Sequence, residues 1–231
     1  MFQIFIIDDS SNMSPHWNDV KRVFETLSYV VKGMSPEGTE LFFTASYDTW
    51  RRKDTHDLVE YLSKKGTAGE TNISYRLNLL LQAYRIRMQV AKTKKGKAAL
   101  VRPMSIYILT NGEWGYGPDP KITIKEMADY LVSQNLKRQV AIQFISFAKE
   151  AKAMQKLNEV ASTEFGVDIV DCTRWTGNVL RMLKGAFDKG VFRGAEENER
   201  DVGDGGVGRR ADIGVESPYT SNSQINVNEL G

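Results

Sequence analysis

Short apolar runs alternate with longer segments of mixed polarity along most of this chain. Five runs are almost continuously apolar: Phe2–Ile7, 40–45, 105–110, Val140–Ser146 and 168–170. Continuous rather than alternating apolar residues are typical of strands that are buried on both faces of a sheet. We therefore expect a sheet of at least five strands with helices packed on both sides of it.

The segments between these runs have the three- and four-residue apolar spacing of amphipathic helices. Helices are predicted at 15–32, 54–64, 71–90, 123–132, 149–163 and 176–189. Thr123 and Glu126 have the spacing of a capping box, so we expect the fourth helix to begin there. The alternation predicts an α/β protein with a three-layer, Rossmann-like fold and a mostly parallel central sheet. Such sheets bind ligands at the carboxyl ends of their strands.

Composition divides the chain into a folded part and a tail. The 231 residues are 41% hydrophobic and 26% charged, which is enough for one large core. After Gly194 the apolar periodicity stops, and the remaining segment is rich in glycine and acidic residues. We predict one domain at 1–194 and a disordered acidic tail at 195–231. The tail has a net charge of −5, so the body carries +7 of the total of +2.

The same totals limit the compartment and the partners. Cys172 is the only cysteine, so no intrachain disulfide can form and an intracellular, cytoplasmic protein is expected. The first residues lack the pattern of a signal peptide, and no apolar stretch is long enough to cross a membrane. The basic segment 92–102 has no interleaved aromatic residues, so we interpret it as a solvated loop. Neither nucleic acid nor a membrane is expected as a partner.

Small oxygen-bearing side chains follow two of the predicted strands. Asp8, Ser10 and Asn12 come at alternate positions after the first strand, and Asn111 follows the third. Thr71 stands at the start of the longest helix, after a glycine-bearing loop. A carboxylate, hydroxyls and amides are the oxygen donors that Mg²⁺ and similar ions prefer. The sequence therefore predicts a metal site, although the same residue types also favour turns and helix caps.

These motifs resemble a known family. The stretch FIIDDSSNM is similar to the opening of a von Willebrand factor type A (vWA) domain, in which a strand leads into Asp-x-Ser-x-Ser. The later stretches VAIQFISFAKEAKAMQKLNEV and VDIVDCTRW resemble the second half of a fungal type of this domain. The resemblance covers about residues 2–190. It implies the family's metal-ion-dependent adhesion site, with Mg²⁺ or Mn²⁺ held by Asp8, Ser10, Asn12, Thr71 and Asn111.

Two of the five positions depart from the family pattern. Asn12 stands in place of the second serine, and Asn111 stands in place of an aspartate. Loss of that aspartate removes a negative charge near the ion, which is worth on the order of 1–4 kcal/mol before desolvation is counted. The site is therefore expected to be degenerate, and both a weakened and a vestigial site stay open.

Aromatic residues and an arginine fall in segments that we predict to be loops at the same edge. They are Tyr47, Trp50, Arg51, Trp114 and Tyr116. Exposed aromatics with arginine are typical interface anchors, so these residues form a candidate partner-binding rim; the alternative is that they pack over the end of the sheet. Glu113, between the two motifs, is predicted to be a solvated loop residue.

The preferred function is a protein-binding module for adhesion or scaffolding. The resemblance implies that an acidic side chain of a protein partner completes the metal's coordination. The first alternative is a Rossmann-like hydrolase or phosphotransferase, but Ser10 replaces the second aspartate that a haloacid dehalogenase-type enzyme needs, and no Gly-x-Gly-x-x-Gly follows the first strand. The second alternative is a truncated vWA remnant that no longer binds a ligand. We expect no enzymatic activity.

Overall fold

The computed structural model describes residues 1–95, 101–113, 118–136, 138–176 and 182. Within these residues the strands are β1 (Phe2–Ile7), β2 (Thr39–Phe43), β3 (Thr49–Arg52), β4 (Met104–Thr110), β5 (Val140–Ser146) and β6 (Val170–Arg174). The helices are α1 (Trp17–Val31), α2 (Thr55–Lys64), α3 (Ile73–Lys95), α4 (Pro120–Ser133) and α5 (Ala151–Ser162). The predicted α/β fold is confirmed.

The six strands form one sheet in the order β3-β2-β1-β4-β5-β6. All neighbouring pairs are parallel except β2 and β3. After β1 the chain first extends the sheet on one side, through β2, and later on the other side, through β4. The strand order therefore reverses between β1 and β4, and a crevice for ligands is expected at the carboxyl ends of these two strands.

Two apolar layers cover the sheet. Ile4 and Ile6 of β1 point into the core formed with α3, α4 and α5. Phe5 and Ile7 point the other way, into the core formed with α1 and α2. Every residue from Phe5 to Ile7 has an exposed fraction of 0%. This burial on both faces explains why the strand is continuously apolar.

Several predicted elements differ from the structure in their bounds. β3 was missed because TWRR is short and polar, which is typical of an edge strand. The predicted capping box was wrong: α4 begins at Pro120, and the Asp119 side chain caps it by accepting a hydrogen bond from the Lys121 amide at 2.9 Å. Most of the predicted helix 176–189 and all of the tail 195–231 lie outside the described residues. In the described ranges, no helix is long and apolar enough to span a membrane.

Candidate functional site

Asp8 lies at the carboxyl end of β1, at the point where the strand order reverses. Its side chain has an exposed fraction of 0%. One carboxylate oxygen accepts hydrogen bonds from the Ser10 amide at 3.2 Å and the Thr44 hydroxyl at 3.3 Å, and the other accepts one from the Thr110 hydroxyl at 2.9 Å. Strands β2, β1 and β4 therefore each contribute to one buried polar cluster around this carboxylate.

The electrostatics of Asp8 are dominated by burial. Loss of hydration raises the pKa of the Asp8 carboxyl, and the hydrogen bonds from Ser10, Thr110 and Thr71 offset this only in part. A raised pKa means that the ionised carboxylate is less well solvated here than in water. A cation beside it would restore the lost stabilisation, so the position favours binding of a positive charge.

Ser10 carries a buried hydroxyl that has no partner of good geometry. Its exposed fraction is 2%, and its Oγ makes no well-formed hydrogen bond. The hydroxyl is nevertheless close enough to Asp8 to lower the pKa of that carboxyl. A buried polar atom without a partner is costly. The lone pairs of the Ser10 oxygen lie next to a poorly solvated carboxylate, and a bound metal ion would interact with both groups.

Thr71 joins the cluster through a relay of hydroxyls. It donates a hydrogen bond to Thr44 at 2.9 Å, and Thr44 in turn donates to Asp8. The loop before Thr71 is fixed to the end of β1 by two backbone bonds, from Ala68 to the carbonyl oxygen of Asp9 at 2.8 Å and from Ser11 to that of Gly69 at 3.0 Å. The side chain of Thr71 is buried, and its oxygen keeps lone pairs for a ligand.

Asn12 and Asn111 are linked through Glu113. The Glu113 amide donates to Asn111 Oδ1 at 3.1 Å, and the Asn12 side-chain amide donates to Glu113 Oε2 at 2.5 Å. Asn12 is exposed, whereas Asn111 is buried. Glu113 lies in a loop, as predicted, but its partly exposed side chain also accepts this hydrogen bond from the loop after β1.

Asp9 is directed away from this cluster. Its carboxylate accepts hydrogen bonds from the amides of Ala45, at 2.7 Å, and Ser46, and it lies 3.4 Å from the ammonium group of Lys65. Lys65 also contacts Asp48 at 3.0 Å. Burial lowers the pKa of Lys65, but the hydrogen bond with Asp48 and the charge of Asp9 outweigh it and leave a raised value. Asp9 thus connects the loop after β1 to the loops after β2 and α2 through these hydrogen bonds and this ion pair.

The structure places three of the five predicted rim residues. Tyr47 lies in the turn after β2 with a left-handed backbone (φ 59°), and its ring lies 4.8 Å from the Arg76 guanidinium. Trp50 and Arg51 were predicted to lie in a loop, which was wrong, because they belong to β3. Trp50 packs on Tyr61, and Arg51 forms ion pairs with glutamates of the 37–40 segment. Trp114 and Tyr116 lie outside the described residues.

The side chains at this edge are of the chemical type that binds divalent metal ions. One desolvated carboxylate, one unpartnered hydroxyl and the oxygens of Thr71, Asn12 and Asn111 are brought to one edge by the hydrogen bonds above, and all are oxygen donors. Among the described residues, no group of three or more His, Cys, Asp or Glu could hold a metal ion. A site here would consequently depend on hydroxyls and amides, with few carboxylates.

The sequence reasoning missed Thr44 and Thr110, although their signal was present. In the sheet, Ile7 is opposite both Phe43 and Leu109, so the next residues, Thr44 and Thr110, flank Asp8 on either side. Both predicted strands, ELFFTA and SIYILT, contain this threonine near their carboxyl ends. Aligning the strand ends with Asp8 would have identified the pair, but that needs the strand order.

Comparisons with known proteins give no family assignment. No family model matches the chain, and no curated protein matches it. Solved structures similar to it include a manganese-loaded TRAP protein from Plasmodium vivax (13% identity, TM-score 0.45, covering 80% of this chain and 72% of that one). A proximal thread matrix protein 1 from the mussel byssus with a zinc-occupied MIDAS motif is 15% identical, with a TM-score of 0.46, and 80% of this chain and 46% of that one are covered.

A von Willebrand factor type A structure from Catenulispora acidiphila is also similar, with 13% identity, a TM-score of 0.45, and coverage of 79% of this chain and 40% of that one. This chain spans less than half of the mussel and Catenulispora proteins. Because the identities are low and the TM-scores are below 0.5, these similarities carry no argument about the site.

Proposed function

We propose that this chain is a vWA-like binding module that holds a protein partner at the carboxyl edge of its sheet through a divalent ion. The ion is Mg²⁺ or Mn²⁺, and its ligands come from Asp8, Ser10, Asn12, Thr71 and Asn111. The observation that carries the proposal is the pairing of a fully buried carboxylate with the unpartnered hydroxyl of Ser10 at the switch point between β1 and β4. A cation between them would compensate the remaining desolvation of the carboxylate and would give the Ser10 oxygen a partner.

The partner's contribution follows from the small number of charged ligands. A divalent cation beside one carboxylate retains positive charge, and an incomplete coordination sphere leaves room for an outside oxygen. A carboxylate of the partner would satisfy both needs. Tyr47, with an exposed fraction of 49%, lies at the same edge and supplies apolar contact area for such a partner. Trp114 and Tyr116 remain candidates for the outer part of the interface. Trp50 lies opposite Leu41 in the middle of β2, and Arg51 lies opposite Glu40, toward the amino end of β2 and away from this edge.

The position of Asp8 also favours binding over nucleophilic catalysis. A nucleophilic carboxylate must reach the reacting atom of its substrate. Asp8 has no exposed surface, and both of its oxygens accept hydrogen bonds. A phosphatase assay with a generic phosphoester would distinguish the two classes, because the binding proposal predicts no turnover above a control that lacks protein.

Calorimetric titration of the full chain with Mg²⁺ and Mn²⁺ tests the proposal. We expect saturable binding of one ion, with loss of binding in Asp8→Asn and unchanged binding in Glu164→Gln, which alters an exposed carboxylate away from the edge. Acetate, added as the simplest carboxylate, should then shift the amide resonances of residues 8–12 and 110–113 only when Mg²⁺ is present. Absence of saturable binding up to 10 mM of either ion would refute the metal-dependent function.

A further inference from the structure

The turn after β4 directs Glu113 back toward the loop after β1. Gly112 has a left-handed backbone (φ +83°), and its amide donates to the Thr110 hydroxyl at 3.1 Å. The next amide, that of Glu113, donates to Asn111 Oδ1, which closes a tight turn. The Glu113 carboxylate thereby reaches Asn12, 101 residues earlier in the chain, with 2.5 Å between Nδ2 and Oε2.

Within the part of the chain that the structure describes, two carboxylates take part in the hydrogen-bonded cluster at the site. Asp8 is one and Glu113 is the other, because the Asp9 carboxylate is paired with Lys65 and with the amides of Ala45 and Ser46. A divalent ion that met Asp8 alone would be half neutralised. The second negative charge closest to the candidate ligands in the bonding network is that of Glu113.

The two asparagines both make hydrogen bonds that favour this position of Glu113. Asn12 donates an N–H to the carboxylate, and Asn111 accepts the backbone N–H of the same residue. An aspartate at 111 would instead set a second negative charge beside the glutamate. Asn12, Asn111 and Glu113 therefore form one compatible unit, in which the carboxylate belongs to residue 113 and the amides position it.

We infer that Glu113 supplies the second negative charge of the divalent-metal site, in place of a carboxylate at position 111, and that Asn12 positions it. The inference rests on the proposed function, since it assigns a further residue to the same site. The buried Ser10 hydroxyl, which makes no well-formed hydrogen bond, supplies a further oxygen for the ion in the same cluster.

Mn²⁺ titration of the full chain, followed by calorimetry and by the loss of the free-ion electron paramagnetic resonance signal, tests this assignment. We expect Glu113→Gln to weaken Mn²⁺ binding at least tenfold. Glu70→Gln is the matched control, because Glu70 is exposed in the loop next to Thr71 and its side chain takes no part in the hydrogen bonds described for the cluster, and we expect less than a twofold change. Adding Asn111→Asp to the Glu113→Gln variant should restore most of the affinity, because it returns a carboxylate to the turn.

Two failures can be told apart in this experiment. Wild-type affinity in Glu113→Gln, or equal weakening in Glu70→Gln, overturns the role of Glu113 and leaves the proposed metal-binding function intact. Absence of Mn²⁺ binding by the wild-type chain overturns the proposed function itself, and the assignment of Glu113 with it. Thermal unfolding of each variant without metal confirms that differences in binding do not come from loss of the fold.

Discussion

Replacing Asp8 by asparagine should leave the metal-free protein at least as stable as the wild-type chain, but should make it less stable than the wild-type chain when metal is bound. The change keeps the size of the side chain and removes its charge. Because burial raises the pKa of Asp8, the ionised carboxylate is less stable in the folded protein than in water. We therefore expect the metal-free Asp8→Asn variant at pH 8 to be at least as stable as the wild-type chain.

The pH dependence of the metal-free protein follows from the same shift. A raised folded-state pKa means that the folded chain retains the Asp8 proton to a higher pH than the unfolded chain. The contribution of Asp8 to the free energy of unfolding should therefore fall as the pH rises from the unfolded pKa of about 3.9 to the raised folded pKa, and level off above it. The difference between the wild-type chain and Asp8→Asn isolates this contribution from that of the carboxyls whose pKa is lowered, such as Asp48. Asp8→Asn removes this contribution, since residue 8 then no longer titrates.

Bound metal reverses the order of the two proteins. At a Mn²⁺ concentration one hundred times the dissociation constant, linkage stabilises a protein that binds only in the folded state by about 2.7 kcal/mol. For a domain of this size that corresponds to a rise in Tm of about 5–10 °C. The wild-type chain should show this rise and Asp8→Asn should not, because the variant lacks the ionised carboxylate that the ion needs.

Thermal and urea unfolding with and without Mn²⁺ measure all of these effects. A loss of more than about 1 kcal/mol in the metal-free variant would refute the reasoning, because it would mean that the hydrogen bonds from Thr110, Thr44 and Ser10 outweigh the cost of burying the charge. An equal rise in Tm for both proteins on adding Mn²⁺ would refute the assignment of Asp8 as a ligand.

Two further predictions concern the turns that shape the site. Gly112→Ala should lower the free energy of unfolding in urea by about 2–4 kcal/mol, because the backbone is left-handed and the added methyl would lie 2.9 Å from the carbonyl oxygen of Ala153. Gly66→Ala is the control, because nothing lies within 4 Å of the added methyl, and it should change the free energy of unfolding by less than about 1 kcal/mol. Lys65→Met should cost about 2–4 kcal/mol because Asp9 would remain buried without its cation, and adding Asp9→Asn should recover part of that loss. Equal stability of the glycine variants, or no recovery in the double variant, would contradict these explanations.

The sheet was predictable because its strands are buried on both faces. Phe2–Ile7 and Val140–Ser146 have the predicted bounds in the structure, since an unbroken apolar run ends where the strand meets solvent or a turn. β3 was not predictable in the same way: it is an edge strand with a polar sequence, and its pairing with β2 depends on the tight turn that contains Tyr47. The bounds of helices were less certain, as the start of α4 shows, because Asp119 and Thr123 are both acceptable caps in sequence alone.

The predicted site residues were grouped in two ways: Asp8, Ser10 and Asn12 by their nearness in the chain, and Thr71 and Asn111 by their predicted positions at a helix start and a strand end, together with the family resemblance. Asp8, Ser10 and Asn12 follow one strand, so their proximity needs no knowledge of the fold. Thr44 and Glu113 meet them only through the order and register of the strands, which the apolar pattern does not encode. A list of motif positions therefore omits residues whose role comes from neighbouring strand ends.

The negative charge at this edge is larger when Glu113 is counted with the motif residues. Judged by motif positions alone, Asn111 removes a negative charge and weakens the site. In the structure, Asn111 holds the backbone of Glu113, whose carboxylate is bound by Asn12. The number of carboxylates in the hydrogen-bonded cluster is then two rather than one, because Glu113 is added to Asp8. The effect of Asn111 on metal affinity thus depends on where Glu113 lies when the ion is bound, and comparison of Glu113→Gln with its Asn111→Asp double variant measures that dependence directly.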